Sequence, residues 1–210
     1  MCLILPLSLA SCKGKTEQDK TDEQQGAAFP MKLDGGKIII EKIEGVDGLF
    51  VEKGGNDEVK GVAAVIVKNT SDKMLEYANI SFKVNQYEGA DFVVSALPAG
   101  ESAIVMESFA RSFSADDVYE PNAQESAFTY CDASTKADGI EIKTDGADIT
   151  VKNNTDKELS PCIVYKYYRD GMYYGGIAFR GTFENIAAGG SVTRTSDRFT
   201  DDCKIVNIII

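Results

Sequence analysis

Histidine, the side chain that most often moves protons near neutral pH and ligates metals, is absent from this chain. Its absence strikes out Ser-His-Asp triads, Cys-His pairs and every zinc site built on imidazole. Neither Ser-x-x-Lys nor Gly-x-Ser-x-Gly stands in for them. A carboxylate pair of the glycosidase kind is defined by its separation in space, and the sequence singles out none among 33 acidic residues. The acidic spots Asp116-Asp117, Asp145-Gly146-Ala147-Asp148 and Asp201-Asp202 lack EF-hand spacing and read as solvated turns. No catalytic residue, metal or cofactor is therefore expected, and the chain does not read as an enzyme.

Thiol catalysis is disfavoured too, because Cys131, Cys162 and Cys203 form no Cys-x-x-Cys. Cys162 and Cys203 each open a predicted strand with parity opposite to the core residues, which makes them candidates for a disulfide across a sheet; the alternative is inert thiols. What remains is recognition. The run Tyr165-Lys166-Tyr167-Tyr168-Arg169-Asp170-Gly171-Met172-Tyr173-Tyr174-Gly175-Gly176 predicts a hairpin turning at Asp170-Gly171, with aromatics on both faces. Tyr168 and one of Tyr173 or Tyr174 should then face outward beside Arg169. Tyr168, Arg169, Tyr173 and Tyr174 are the candidate ligand surface, since rigid aromatics bury much area at little entropic cost. The competing reading is cross-strand aromatic pairing that only stabilises the hairpin.

The elements that must position these residues begin after an unusual start. The segment Cys2 to Ala10 (CLILPLSLA) is almost wholly apolar, too short to span a bilayer as a helix, and of the length of a signal-peptide h-region. It ends in Leu9-Ala10-Ser11-Cys12, which resembles the lipobox of bacterial lipoproteins. The resemblance implies cleavage after residue 11 and lipidation of Cys12, so that acyl chains hold the protein to a membrane at about 0.8 kcal/mol per buried methylene. Residues 12–30 then read as the lipidated cysteine and a polar, flexible linker. A formal charge of -11 opposes nucleic acid and anionic lipid as partners.

From residue 31 onward apolar residues alternate in short runs bounded by Gly, Asn and Asp, which predicts strands throughout and one helical turn at Ser114-Ala115-Asp116-Asp117. One block recurs. Val67-Lys68-Asn69-Thr70-Ser71-Asp72-Lys73 matches Val151-Lys152-Asn153-Asn154-Thr155-Asp156-Lys157, and Leu97-Pro98-Ala99-Gly100-Glu101-Ser102 matches Ile186-Ala187-Ala188-Gly189-Gly190-Ser191. Between these blocks Ile80, Phe82 and Val84 fall beside Ile163, Tyr165 and Tyr167 as inward-facing positions, with Asn79, Ser81 and Lys83 facing water. The final run Val206, Ile208 and Ile210 reads as the inner face of a closing strand.

The order of these blocks resembles the FxLYD-type immunoglobulin-like domains of bacterial, Firmicutes-like surface lipoproteins, although neither copy carries Phe-x-Leu-Tyr-Asp itself. The resemblance implies an all-β chain of two immunoglobulin-like β-sandwich domains in tandem, at 31–120 and 121–210. The function expected is an extracytoplasmic, lipid-anchored binding or adaptor module that engages an envelope protein or glycan. A passive spacer of the envelope and a carboxylate-dependent enzyme are the alternatives.

Overall fold

Alternating apolar runs need a partner sheet to cover them, and the chain supplies one for each. In this computed structural model, which describes residues 28–55 and 57–210, the chain is all-β; the expected signal segment and Cys12 lie outside the described residues. The strands are β1 (Met31–Leu33), β2 (Ile38–Phe50), β3 (Asp57–Asn69), β4 (Met74–Val84), β5 (Glu88–Leu97), β6 (Ser102–Met106), β7 (Tyr119–Pro121) and β8 (Ala127–Cys131). They continue with β9 (Ile140–Asp145), β10 (Asp148–Asn153), β11 (Cys162–Arg169), β12 (Met172–Thr182), β13 (Ser191–Thr195) and β14 (Cys203–Ile209). The helical turn expected at Ser114 stops after one turn: Asp116 N–H bonds the Ser114 hydroxyl at 3.3 Å and Asp117 N–H its carbonyl at 3.1 Å, and nothing propagates it.

The sequence repeat reappears as a repeat of strand pairing. β3 lies between β2 and β6 as β10 lies between β9 and β13, and β4 lies between β5 and β8 as β11 lies between β12 and β14. At the heart of each copy stands a fully buried asparagine, Asn69 or Asn153. The Asn69 amide donates to the carbonyls of Lys73, Leu97 and Pro98, and its Oδ1 accepts from the Ser71 amide and hydroxyl. The Asn153 amide donates to Lys157, Ile186 and Ala187, and its Oδ1 accepts from the Thr155 amide and hydroxyl. The two matched sequence blocks of each copy are thus tied together by one side chain. A buried amide held by so many partners fixes the turn without leaving polar atoms unpaired.

The copies are fused through both a sheet and a core. β6 pairs in parallel with β12 at Ala103↔Tyr173 and Ile104↔Tyr174, which joins β1-β2-β3-β6 to β12-β11-β14 as one seven-stranded sheet. Val164, Tyr173 and Val206 pack into the same core as Ile38, Val65, Phe82 and Phe92, while Ile163 and Tyr165 on the other face of β11 pack with Ile149, Val151 and Phe183. Strand β11 is consequently buried on both faces from Ile163 to Tyr167. β8, which a boundary at residue 121 assigns to the second half, pairs with β4, so a cut at 121 would strip that strand from its neighbour.

Three expectations on face and pairing need correction. Ser81 is buried rather than facing water, because the connection between β7 and β8 folds over it: Asn122 N–H bonds its carbonyl and Ser126 Oγ accepts from its amide. Val206, Ile208 and Ile210 do not share one face. A register shift in the β11–β14 ladder sends Val206 into the first core and Ile205 and Ile208 toward the second, and leaves Ile210 exposed. Cys162 and Cys203 do not pair. Cys162 lies opposite Ile209 and Cys203 opposite Tyr167, at the two ends of the same ladder, and Cys131, Cys162 and Cys203 are all free thiols. Six positions along β14 amount to about 20 Å, beyond the reach of any disulfide.

Candidate functional site

The hairpin turn forms where Asp-Gly predicts it. Asp170 and Gly171 both have positive φ, 50° and 85°, and Arg169 pairs with Met172, the geometry of a two-residue type I′ connection. Register then divides the tyrosines. Tyr168 pairs with Tyr173 and Tyr167 with Tyr174, so the candidate surface splits into two opposite faces instead of forming one patch.

On the first face Tyr173 is buried in the core, with its ring edge-on to Tyr168 at 5.1 Å. The Tyr168 hydroxyl donates to the Gly171 carbonyl at 2.9 Å, and Lys204 Nζ covers its ring. This half of the run stabilises the hairpin and has little aromatic surface left to offer.

The second face borders a groove. Lys42, Ile66, Ile104 and Tyr174 occupy one cross-strand row over β2, β3, β6 and β12. Two register shifts bend β2, and Asp47 Oδ1 caps the resulting bulge by accepting the Gly61 N–H at 2.7 Å. The bent end of β2 comes over the row, so that Tyr174 donates its hydroxyl to the Leu49 carbonyl at 2.8 Å. A Cβ on Gly48 would sit 2.8 Å from that hydroxyl, and Gly48 has φ of 144°, so glycine is needed for the crossing. The outcome is a groove of about 640 Å³ with Ile66, Ile104, Met172 and Tyr174 on its apolar floor. Arg169 stands at its end, its guanidinium 5.2 Å from the Tyr174 ring and 5.4 Å from Tyr167, and its Nε donates to Asp202 at 3.2 Å. Both copies build the wall, since β2, β3 and β6 meet the β11–β12 hairpin there.

Beneath the joint lie two ionisable groups, Lys166 and Glu52. Lys166 is fully buried and its ammonium donates to the carbonyls of Ser95, Gly176 and Ile177 at 2.9, 2.8 and 2.8 Å, using all three donors. Glu52 accepts from the amides of Met106 at 3.0 Å and Gly176 at 2.8 Å. Burial raises the Glu52 carboxyl to about 7 against the opposing pull of the Gly176 and Met106 amides and of Lys166. Burial likewise lowers Lys166 to about 7, opposed by Glu52. Three converging carbonyls have no donor to offer a neutral amine, so the geometry favours the ammonium. Gly176 is obligatory, because a Cβ there would lie 1.7 Å from the Val93 carbonyl oxygen.

The groove residues on β2, β3 and β6 did not stand out as chemistry in the sequence. Their signal is the unbroken apolar runs Ala63–Val67 and Ala103–Met106, which lack the polar alternation of a strand with one solvated face. Among the described residues no three of His, Cys, Asp or Glu come together in a group able to hold a metal. Burial pushes the Cys203 thiol up, with the Thr200 hydrogen bonds opposing, which keeps it from the reactive thiolate. Fold and groove together describe an all-β protein with an apolar-floored concave surface where its two copies meet. Compared with family models, curated proteins and solved structures, the chain matches none.

Proposed function

We propose that the chain is an extracytoplasmic binding or adaptor module without catalytic activity, held to the bacterial membrane through a lipidated Cys12 and engaging its partner in the groove at Tyr174. In this reading the two copies are tandem immunoglobulin-like domains of FxLYD type, and the first extends through β8. The observation that carries the proposal is the groove itself: about 640 Å³, apolar on its floor, with Tyr174 pinned by Leu49. Rigid aromatic surface in a concavity of this size is the usual setting for recognition of a glycan or a protein segment. The test is a glycan array and a pull-down against envelope proteins, with wild-type protein beside Ile104→Glu and Tyr174→Ala. Retention of a specific partner by wild type and its loss in both variants, with unfolding midpoints preserved, supports the reading; binding that ignores both variants refutes the groove. Membrane fractionation of Cys12→Ser tests the anchor, which fails if the variant stays with the membrane.

A passive spacer is the second reading, favoured by the shared core and continuous sheet that make the two copies one stiff body. It predicts no partner sensitive to the groove variants.

A further inference from the structure

The charges around the groove say more about its occupant than its size does. Two cations, Lys42 and Arg169, and four carboxylates, Glu44, Asp47, Glu58 and Asp170, line it. Both cations are already engaged: Lys42 Nζ lies 2.7 Å from Glu44, and Arg169 donates to Asp202. Asp47 spends one oxygen on the Gly61 amide. Glu58, near the start of β3, and Asp170, in the hairpin turn, both line the groove and are exposed, and neither takes part in an ion pair among the described residues. The rim therefore carries surplus negative charge above an apolar floor, in a protein whose overall charge of -11 pulls cations in and keeps anions out.

We propose that the groove binds an extended, lysine- or arginine-bearing peptide segment, whose methylene stems lie on Ile66, Ile104, Met172 and Tyr174 while the charged heads reach Asp47, Glu58 and Asp170. Long basic side chains suit this division, being apolar along the stem and charged only at the tip. The pinned Tyr174 ring and the capped β2 bulge hold the surface in place before the peptide arrives, which lowers the ordering cost of binding. Acidic ligands, including uronic-acid polymers and phosphates, meet repulsion at the same rim. The proposal rests on the groove being the binding site and names the chemistry of what enters it.

The experiment titrates the full chain, in detergent, with acetylated tetralysine amide, tetraglutamine and tetraglutamate at 0.15 M salt, read by calorimetry. Three proteins are compared: wild type, the groove variant Glu58→Gln/Asp170→Asn, and the remote variant Glu141→Gln/Asp156→Asn, which removes the same amount of charge from exposed or half-buried positions of the second copy. Tetralysine should bind wild type and the remote variant within twofold of each other and lose at least tenfold in affinity to the groove variant, with the two control peptides silent. Equal weakening in both variants would reduce the effect to net charge and overturn the proposal, as would preferential binding of tetraglutamate. If tetralysine fails on wild type while Ile104→Glu still abolishes capture of a partner, the groove remains the site and its cationic specificity is refuted.

Discussion

Lys83 and Lys166 hold matching places in the two copies, each between two inward-facing residues of a strand paired on both sides, yet they have opposite fates. Lys83 is exposed on β4, while Lys166 is fully buried on β11 and spends its whole ammonium on three backbone carbonyls. The difference is what covers the outer face. That of β4 meets solvent and the connection leading into β8; that of β11 meets β5 and the core of the first copy. One fold unit used twice thus produces a surface lysine and a structural one. The joint between the copies is where the repeat had to be broken, with Gly175 and Gly176 making room and Glu52 accepting the Gly176 and Met106 amides.

The comparison can be broken most completely by separating the copies. A fragment of residues 121–210 would expose Val164, Tyr173 and Val206 and leave Lys166 without Ser95 and Glu52; it should show no cooperative transition in urea, and a two-state unfolding curve would contradict the shared core. Next, Lys166→Met should lose about 3 to 5 kcal/mol, because three buried carbonyls are left without their donor, whereas Lys83→Met should stay within about 0.5 kcal/mol. Paired urea titrations measure both. Gly176→Ala should fall in the same range as Lys166→Met, since the added carbon collides with backbone, while Gly89→Ala, opposite Lys83 and with open space around it, should change little. Asn69→Ala and Asn153→Ala sharpen the other side of the comparison. Each strips three carbonyls of their donor, and each should cost about 2 to 3 kcal/mol in thermal or urea unfolding; a tenfold smaller effect in one copy would show that the nodes are not equivalent.

The smallest effect is pH-dependent. Glu52 is raised by burial from 4.5 to about 7, so the native state holds a proton there that the unfolded chain has released. Its contribution to stability is fully present below pH 4.5 and fades as pH rises through 7. The stability of wild type relative to Glu52→Gln should accordingly decline by on the order of 2 kcal/mol between pH 4.5 and 7. A flat difference would mean that Glu52 is ionised in the native protein across that range.

Much of the architecture was legible in the residues. Period-two runs marked the strands, Asp170-Gly171 marked the hairpin, and Asn69 and Asn153 marked the repeat, because each of these depends on neighbours close along the chain or on one side chain meeting local carbonyls. The site was legible only in part. Tyr174 and Arg169 were visible as aromatic and cation, but the split of Tyr168 and Tyr173 to the other face follows from pairing register, and the rest of the groove comes from strands that only the sheet brings together.

The sequence by itself determined local geometry: which segments extend, where they turn, and that the chain uses one unit twice without histidine chemistry. Tertiary structure alone decided how the units meet. Lysine between apolar neighbours reads the same at positions 83 and 166, since alternation records that a residue points away from its own core and carries no information about what lies beyond. Whether water or a second sheet lies there is set by the parallel pairing of β6 with β12, a contact between residues about 70 positions apart in the chain that no local pattern encodes.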